Sequence, residues 1–141
     1  MTQTRQTICP ECCAVTSAMD GITHKYLPAS TGCWATFNDV LAKEFSDPAY
    51  WKTHRLTVDA YCSLHASGTD RRQVQSVVIY LVALHLNFEK HCSDERIAES
   101  MGALIRKHKH QFPVLIKPSF ADTENVTSLL AAMPQNIINL L

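Results

Sequence analysis

The chain has 141 residues, 46% of them apolar, so one domain can bury a core without covalent staples. Its 13 basic and 13 acidic side chains balance to a formal net charge of zero. This balance argues against a nucleic-acid-binding or membrane-surface protein, because such proteins usually have a basic excess. It also leaves little electrostatic self-repulsion, so a homodimer or a protein partner is compatible with it.

The cellular compartment decides whether the cysteines of this chain are better interpreted as disulfides or as metal ligands. The first seven residues, MTQTRQT, are polar and show no targeting signal, and the longest apolar-rich stretch, 77–86, is too short to span a bilayer. We therefore expect a cytoplasmic protein. Disulfides are rare in that reducing compartment, so the six cysteines favour metal binding.

Residues 8–32 lack the regular spacing of apolar residues that is typical of a helix or a strand. Pro10, Gly21, Pro28 and Gly32 interrupt this segment, and its apolar residues show little periodicity. We expect an irregular loop. Since a long ordered loop needs something to hold it, a bound metal ion is the expected anchor.

Two helices are predicted next, over 33–45 and 52–65, from apolar residues at helical spacing. Ser30 or Thr31 is the expected N-cap of the first helix. Its apolar spacing includes Trp34, Phe37, Val40, Leu41 and Phe45.

The remaining chain predicts three more helical segments. The third helix follows a cap at Thr69 or Asp70 and continues to about Phe88. The fourth begins after Ser93, with acidic residues early and basic residues late, an order that suits the helix dipole. An extended segment over 112–119 then leads to a short helix over 123–133. The predicted fold class is all-α: one domain over 1–141, with a compact bundle of about five helices over 33–133.

The motif with the clearest chemistry is CPEC, which places Cys9 and Cys12 in a tight turn. Two thiolates at this spacing can bind one zinc ion, and Pro10 restricts the turn. A zinc site needs two further ligands. The candidates are Cys13, His24, Cys33, His54, Cys62 and His65.

The expected arrangement of the helices reduces the number of candidates for the third and fourth ligands. The helices over 33–45 and 52–65 are joined by a short connection, so they should lie antiparallel. The start of the first, Cys33, then lies beside the end of the second, His65. The sequence therefore predicts a closed tetrahedral zinc site of Cys9, Cys12, Cys33 and His65, with His24 as the main substitute for either of the last two.

Two other functions stay open. A metal-dependent hydrolase-like enzyme would use His54, Asp59 and His65, although Asp59 shares a helix face with neither histidine on an ideal helix. A cysteine redox sensor would use Cys9, Cys12 and Cys13. His54 can alternatively pair with an acidic side chain of a neighbouring helix, which is a structural role.

Several motifs together resemble a known family. They are CPEC, DGITHKY, GCWATFNDVLAKEFSDPAYWKTHRLTVDAYCSLH and RRQVQSV. They are similar to the CPxC, THxY, CW-helix, HxLTVDAYxxQHP and QSV motifs of a family of small bacterial proteins with no known biochemical function. The resemblance implies a helical fold. The family pattern includes positions matching Cys9, Cys12, His24, Cys33, His54, Asp59, His65 and Gln75.

This chain departs from the family pattern at Leu64-His65-Ala66, where members usually have QHP. Taken together, the sequence predicts a zinc-binding helical domain in which the metal is structural and the role is binding or regulation.

Overall fold

The computed structural model describes residues 5–66 and 71–111, except for the side chain of Val74. Within these ranges the chain is mostly helical, with four α-helices and one small two-stranded sheet. It falls into two compact units, Met1–Ser67 and Gly68–Leu141, called the N-terminal unit and the C-terminal unit. The single domain over 1–141 stays a prediction, and the predicted elements over 112–119 and 123–133 lie outside the described residues.

The N-terminal unit begins with an antiparallel hairpin. Strand β1, Gln6–Ile8, pairs with strand β2, Val15–Ser17, so that Ile8 lies opposite Val15. The backbone N–H of Cys9 donates to the carbonyl of Ala14 at 2.8 Å, which closes the intervening turn.

This hairpin corrects the expectation of an all-α fold and part of the expected irregular segment over 8–32, of which residues 18–30 contain no helix or strand beyond an isolated bridge between His24 and Leu27. The strands are rich in Thr, Ile and Val, which favour extended structure. Each strand has only three residues, however, so neither produces a recognisable alternation of apolar and polar residues.

Two helices follow, α1 over Thr31–Ser46 and α2 over Trp51–His65, joined through a short 3₁₀ turn at Pro48–Tyr50. The side chain of Ser30 accepts the backbone N–H of Cys33 at 3.2 Å, which identifies Ser30 as the N-cap of α1. The helix thus begins two residues before the predicted start, and Cys33 lies in its first turn.

The two helices face each other in an antiparallel register. Cys33 contacts His65, Phe37 stacks on Tyr61 and Glu44 pairs with His54. This arrangement agrees with the predicted antiparallel pair. The apolar spacing of α1 is less informative, because Val40 and Phe45 are 43% and 64% exposed. A single facing helix covers only a narrow stripe of α1.

The C-terminal unit has an apolar core between helix α3, Arg71–Phe88, and helix α4, Asp94–His108. Ser93 caps α4 as predicted, because its hydroxyl accepts the backbone N–H of Arg96 at 3.4 Å. None of the helices in the described ranges combines the length and apolar character needed to cross a membrane. The core cluster consists of Val78, Val82, Ala83, Leu86, Ile97, Met101 and Leu104.

The contact between β2 and the start of α1 depends on Gly32. A Cβ atom at this position would lie 2.3 Å from the carbonyl oxygen of Ser17 and 2.6 Å from Oγ1 of Thr16. We therefore expect Gly32→Ala to lower the free energy of unfolding by about 1–3 kcal/mol, measured by chemical denaturation of the full chain.

Gly102→Ala is the matched control for Gly32→Ala. A Cβ at Gly102 meets only the flexible guanidinium of Arg106 at 3.1 Å, and alanine is the better helix former. We expect this variant to be neutral or slightly stabilised. Equal stability of both variants would contradict the tight packing at Gly32.

Candidate metal centre

Four potential ligand side chains converge in the N-terminal unit. Cys9 and Cys12 come from the hairpin turn, Cys33 from the first turn of α1 and His65 from the last residue of α2. Their ligand atoms all lie within 4.8 Å of one another. These are the four residues selected from the sequence.

The separations between these atoms match one tetrahedral ion. With zinc–sulfur and zinc–nitrogen bonds of standard length, sulfur atoms lie about 3.8 Å apart and sulfur and nitrogen about 3.5 Å apart. The Sγ atoms of Cys12 and Cys33 are 3.7 Å apart. Nε2 of His65 lies 3.6 Å from Sγ of Cys9 and 3.3 Å from Sγ of Cys33.

The orientation of the His65 ring is set by the backbone of its own helix. Nδ1 of His65 donates to the carbonyl oxygen of Tyr61, one turn earlier, at 2.8 Å. Because a carbonyl can only accept, the proton is on Nδ1 and the lone pair of Nε2 faces the three sulfur atoms. Metal-binding histidines typically have such a hydrogen bond behind the ligand.

Tyr61 supports the cluster in two further ways. Its ring stacks on the His65 ring with centroids 3.9 Å apart, and on the Phe37 ring at 3.8 Å. Its hydroxyl lies 3.8 Å from Sγ of Cys33. Burial and the interaction with Cys33 raise the pKa of Tyr61, so this group stays a neutral hydrogen-bond donor.

The hairpin turn stabilises a thiolate at Cys9. This side chain is 0% exposed, and burial alone would raise its pKa. Backbone N–H groups of Cys12, Glu11 and Ser30 donate to its sulfur, and their combined effect lowers the pKa of Cys9 from 9.0 to about 6. Cys9 is therefore ready to act as an anionic ligand at neutral pH.

The pKa of Cys33 shifts in the opposite direction to that of Cys9. The pKa of Cys33 is raised from 9.0 to about 12, mainly by burial; the Tyr61 hydroxyl opposes this rise, and the neighbouring sulfurs of Cys12 and Cys9 contribute to it. Three thiols this close resist simultaneous ionisation because their charges repel. A divalent cation among them would compensate these charges and allow all three to ligate.

The other sequence candidates lie outside this cluster. His24 accepts the backbone N–H of Tyr26 on its Nδ1 at 3.2 Å, and its ring packs against Trp34. Cys13 is exposed, with a left-handed backbone at φ 60°, and Cys62 is buried in α2. None of these side chains belongs to the metal-ligand cluster found in the described residues.

The three residues of the hydrolase hypothesis do not meet. Nδ1 of His54 binds a carboxylate oxygen of Glu44 at 2.8 Å, whereas His65 lies eleven residues further along α2 in the sulfur cluster. Asp59 pairs with Arg55 on its own helix at 3.4 Å. The hydrolase hypothesis therefore has no geometric support, and His54 has the structural pairing considered from the sequence.

Tyr61 and Glu44 were not identified from the sequence. Tyr61 is visible in hindsight through helix spacing, because Cys33 and Phe37, like Tyr61 and His65, are separated by four residues. Two such pairs on antiparallel helices form a continuous contact. Only the register of the two helices shows that they face each other.

The fold and the site together define a mostly helical protein with a Cys₃His cluster that could hold a metal ion. The model of the family of unknown function DUF5946 matches residues 7–139, so the chain belongs to this family. The expected membership of a family without a known function is thereby confirmed, while its detailed motif pattern stays a prediction. No curated protein and no solved structure shows significant similarity to the chain.

The pairing of Glu44 generates a pH-dependent prediction. Burial alone would raise the pKa of Glu44, but hydrogen bonds from Thr57 and His54 outweigh it and hold the pKa below 4.5. A lowered carboxyl pKa stabilises the fold above the unfolded-state value and loses this effect as the pH falls through the folded-state value. We expect wild-type stability to decrease as the pH falls below 4.5.

Glu44→Gln removes this titration. We expect the variant to lose about 1–3 kcal/mol at pH 7, because a charged acceptor of several hydrogen bonds is replaced. The difference from wild type should shrink towards pH 3, as followed by denaturation at each pH. A constant difference across this range would contradict the proposed stabilisation by the ionised carboxylate.

Proposed function

We propose that this chain binds one zinc ion through Cys9, Cys12, Cys33 and His65, and that the ion stabilises a domain acting in binding or regulation. The main support is the convergence of three sulfurs and one imidazole nitrogen within 4.8 Å. Sulfur-rich tetrahedral sites select zinc or iron, and a redox-inert structural role favours zinc.

The small apolar core of the N-terminal unit supports a structural role for the metal. Among residues 5–66, the buried apolar side chains are Cys9, Cys33, Phe37 and Cys62, and two of these are proposed ligands. Such a unit buries too little apolar surface to be stable by hydrophobic packing alone. Metal binding would supply the missing free energy and connect the hairpin to both helices.

The ligand number argues against catalysis by the metal. Catalytic zinc sites usually have three protein ligands and one position open to water or substrate. Four protein ligands fill a tetrahedral shell, and Cys9 and His65 are 0% and 1% exposed. A partner protein or a second copy of this chain is the proposed target, since the neutral charge does not favour nucleic acid or membrane.

Metal content of the purified full chain tests the proposal directly. We expect one zinc per chain by elemental mass spectrometry and native mass spectrometry. Replacement by Co²⁺ should give the visible absorption of a tetrahedral thiolate-bound ion. A chain that contains no metal and takes up neither ion would contradict the proposal, and stoichiometric iron would correct the identity of the metal.

Two buried cysteines provide a matched pair of variants. Cys33 and Cys62 are 6% and 8% exposed and lie on α1 and α2, but only Cys33 belongs to the cluster. We expect Cys33→Ser to weaken zinc binding by more than about 100-fold, whereas Cys62→Ser should keep one zinc per chain. Competition with a chromogenic chelator measures both. Equal affinities would exclude Cys33 as a ligand.

Removal of the metal should mainly affect the N-terminal unit. Because metal binding free energy becomes folding free energy, a strong chelator should destabilise the hairpin and the α1–α2 pair. Amide hydrogen exchange is expected to increase in residues 5–66 and to change less in α3 and α4, whose core is apolar. A uniform increase throughout the described residues would contradict a local structural role.

A further inference from the structure

The ligands of the candidate metal centre differ in their access to solvent. Cys9 is fully buried and its sulfur contacts the His65 ring, while Cys12 is only half-buried at the edge of the hairpin turn. A small oxidant arriving from solvent therefore reaches Cys12 before Cys9. Cys33 is buried, but its sulfur lies 3.7 Å from that of Cys12.

We propose that Cys12 and Cys33 form a peroxide-reactive thiol pair, whose oxidation to a disulfide releases the metal. This inference rests on the proposed zinc site and adds a form of regulation to it. The substrate class is a hydroperoxide small enough to reach a half-buried sulfur.

The reaction balances in two steps. The Cys12 thiolate attacks the distal oxygen of hydrogen peroxide, the O–O bond breaks, and the departing hydroxide takes a proton to become water. The Cys33 thiolate then attacks the sulfenic sulfur of Cys12, the S–O bond breaks, and the oxygen leaves as a second water after protonation. Two sulfurs together lose two electrons, and one peroxide gains them.

The geometry favours this pair over other combinations. Forming the bond requires the two sulfurs to approach by about 1.7 Å, from their present separation to the length of a disulfide. Cys9 is 0% exposed, and its sulfur contacts Nε2 of His65 at 3.6 Å. After the bond forms, Cys9 and His65 are the only cluster ligands left, and two ligands do not retain zinc tightly.

Cys13 is the thiol that would compete with Cys33 for a disulfide bond to Cys12. It is exposed and adjacent to Cys12, but its sulfur is not part of the cluster in the described residues. Its left-handed backbone, at φ 60°, suits glycine, so Cys13→Gly removes the thiol without straining the turn. The variant therefore tests the role of this thiol without disturbing the ligands.

The test uses the zinc-loaded full chain and one equivalent of hydrogen peroxide. We expect zinc release, followed with a chromogenic chelator, together with a mass decrease of about 2 Da and a Cys12–Cys33 disulfide in peptide mapping. A thiol reductant and added zinc should restore the original state. Cys13→Gly and Cys62→Ser should release zinc at rates within about twofold of wild type.

Three results would overturn the proposed thiol pair without contradicting the proposal that the chain binds zinc. They are zinc retained with all thiols reduced, a disulfide that includes Cys13, and zinc release with only sulfinic acid at Cys12. A chain that holds no metal before peroxide is added would instead contradict the proposed function, and this inference with it. The metal content measured at the start separates the two failures.

Discussion

Three sulfur atoms and one imidazole converge in the N-terminal unit, where a hairpin meets two helices. Hydrophobic packing contributes little there, since Phe37 is the one buried large apolar side chain in residues 5–66. The hairpin strands have three residues each, and isolated hairpins of this kind are marginal in water. An ion bound by the four side chains would connect all three elements. The free energy of unfolding of this unit is therefore expected to depend directly on whether the metal is bound.

The α1–α2 pair has polar interactions at both ends and aromatic stacking between them. At one end, Glu44 accepts hydrogen bonds from His54 and Thr57; at the other end, Cys33 contacts His65. Phe37 and Tyr61 stack between the two ends. Each of these interactions specifies the same antiparallel register, because a shift of either helix would break all of them at once. This agreement positions His65 beside Cys33 without a large apolar core.

The C-terminal unit is stabilised by a different kind of interaction. Helices α3 and α4 bury a continuous apolar cluster that includes Val78, Val82 and Ile97, and the Ser93 cap and the charge order of α4 agree with helix formation. This apolar cluster joins the two helices of the unit that the structure describes. The described residues thus combine one unit with a continuous apolar core and another in which a Cys₃His cluster joins the secondary-structure elements.

The sequence by itself determined the helical class, the capped helix α4, the antiparallel α1–α2 pair and the four side chains of the cluster. These features depend on local spacing and on a short connection, both of which the order of residues specifies directly. The tertiary structure decided the hairpin around Cys9 and Cys12, the Glu44–His54 pair and the contacts of Tyr61 with His65 and Cys33. Three-residue strands leave no periodic signal, and the partner of a buried polar group depends on helix register, which arises only when the elements pack.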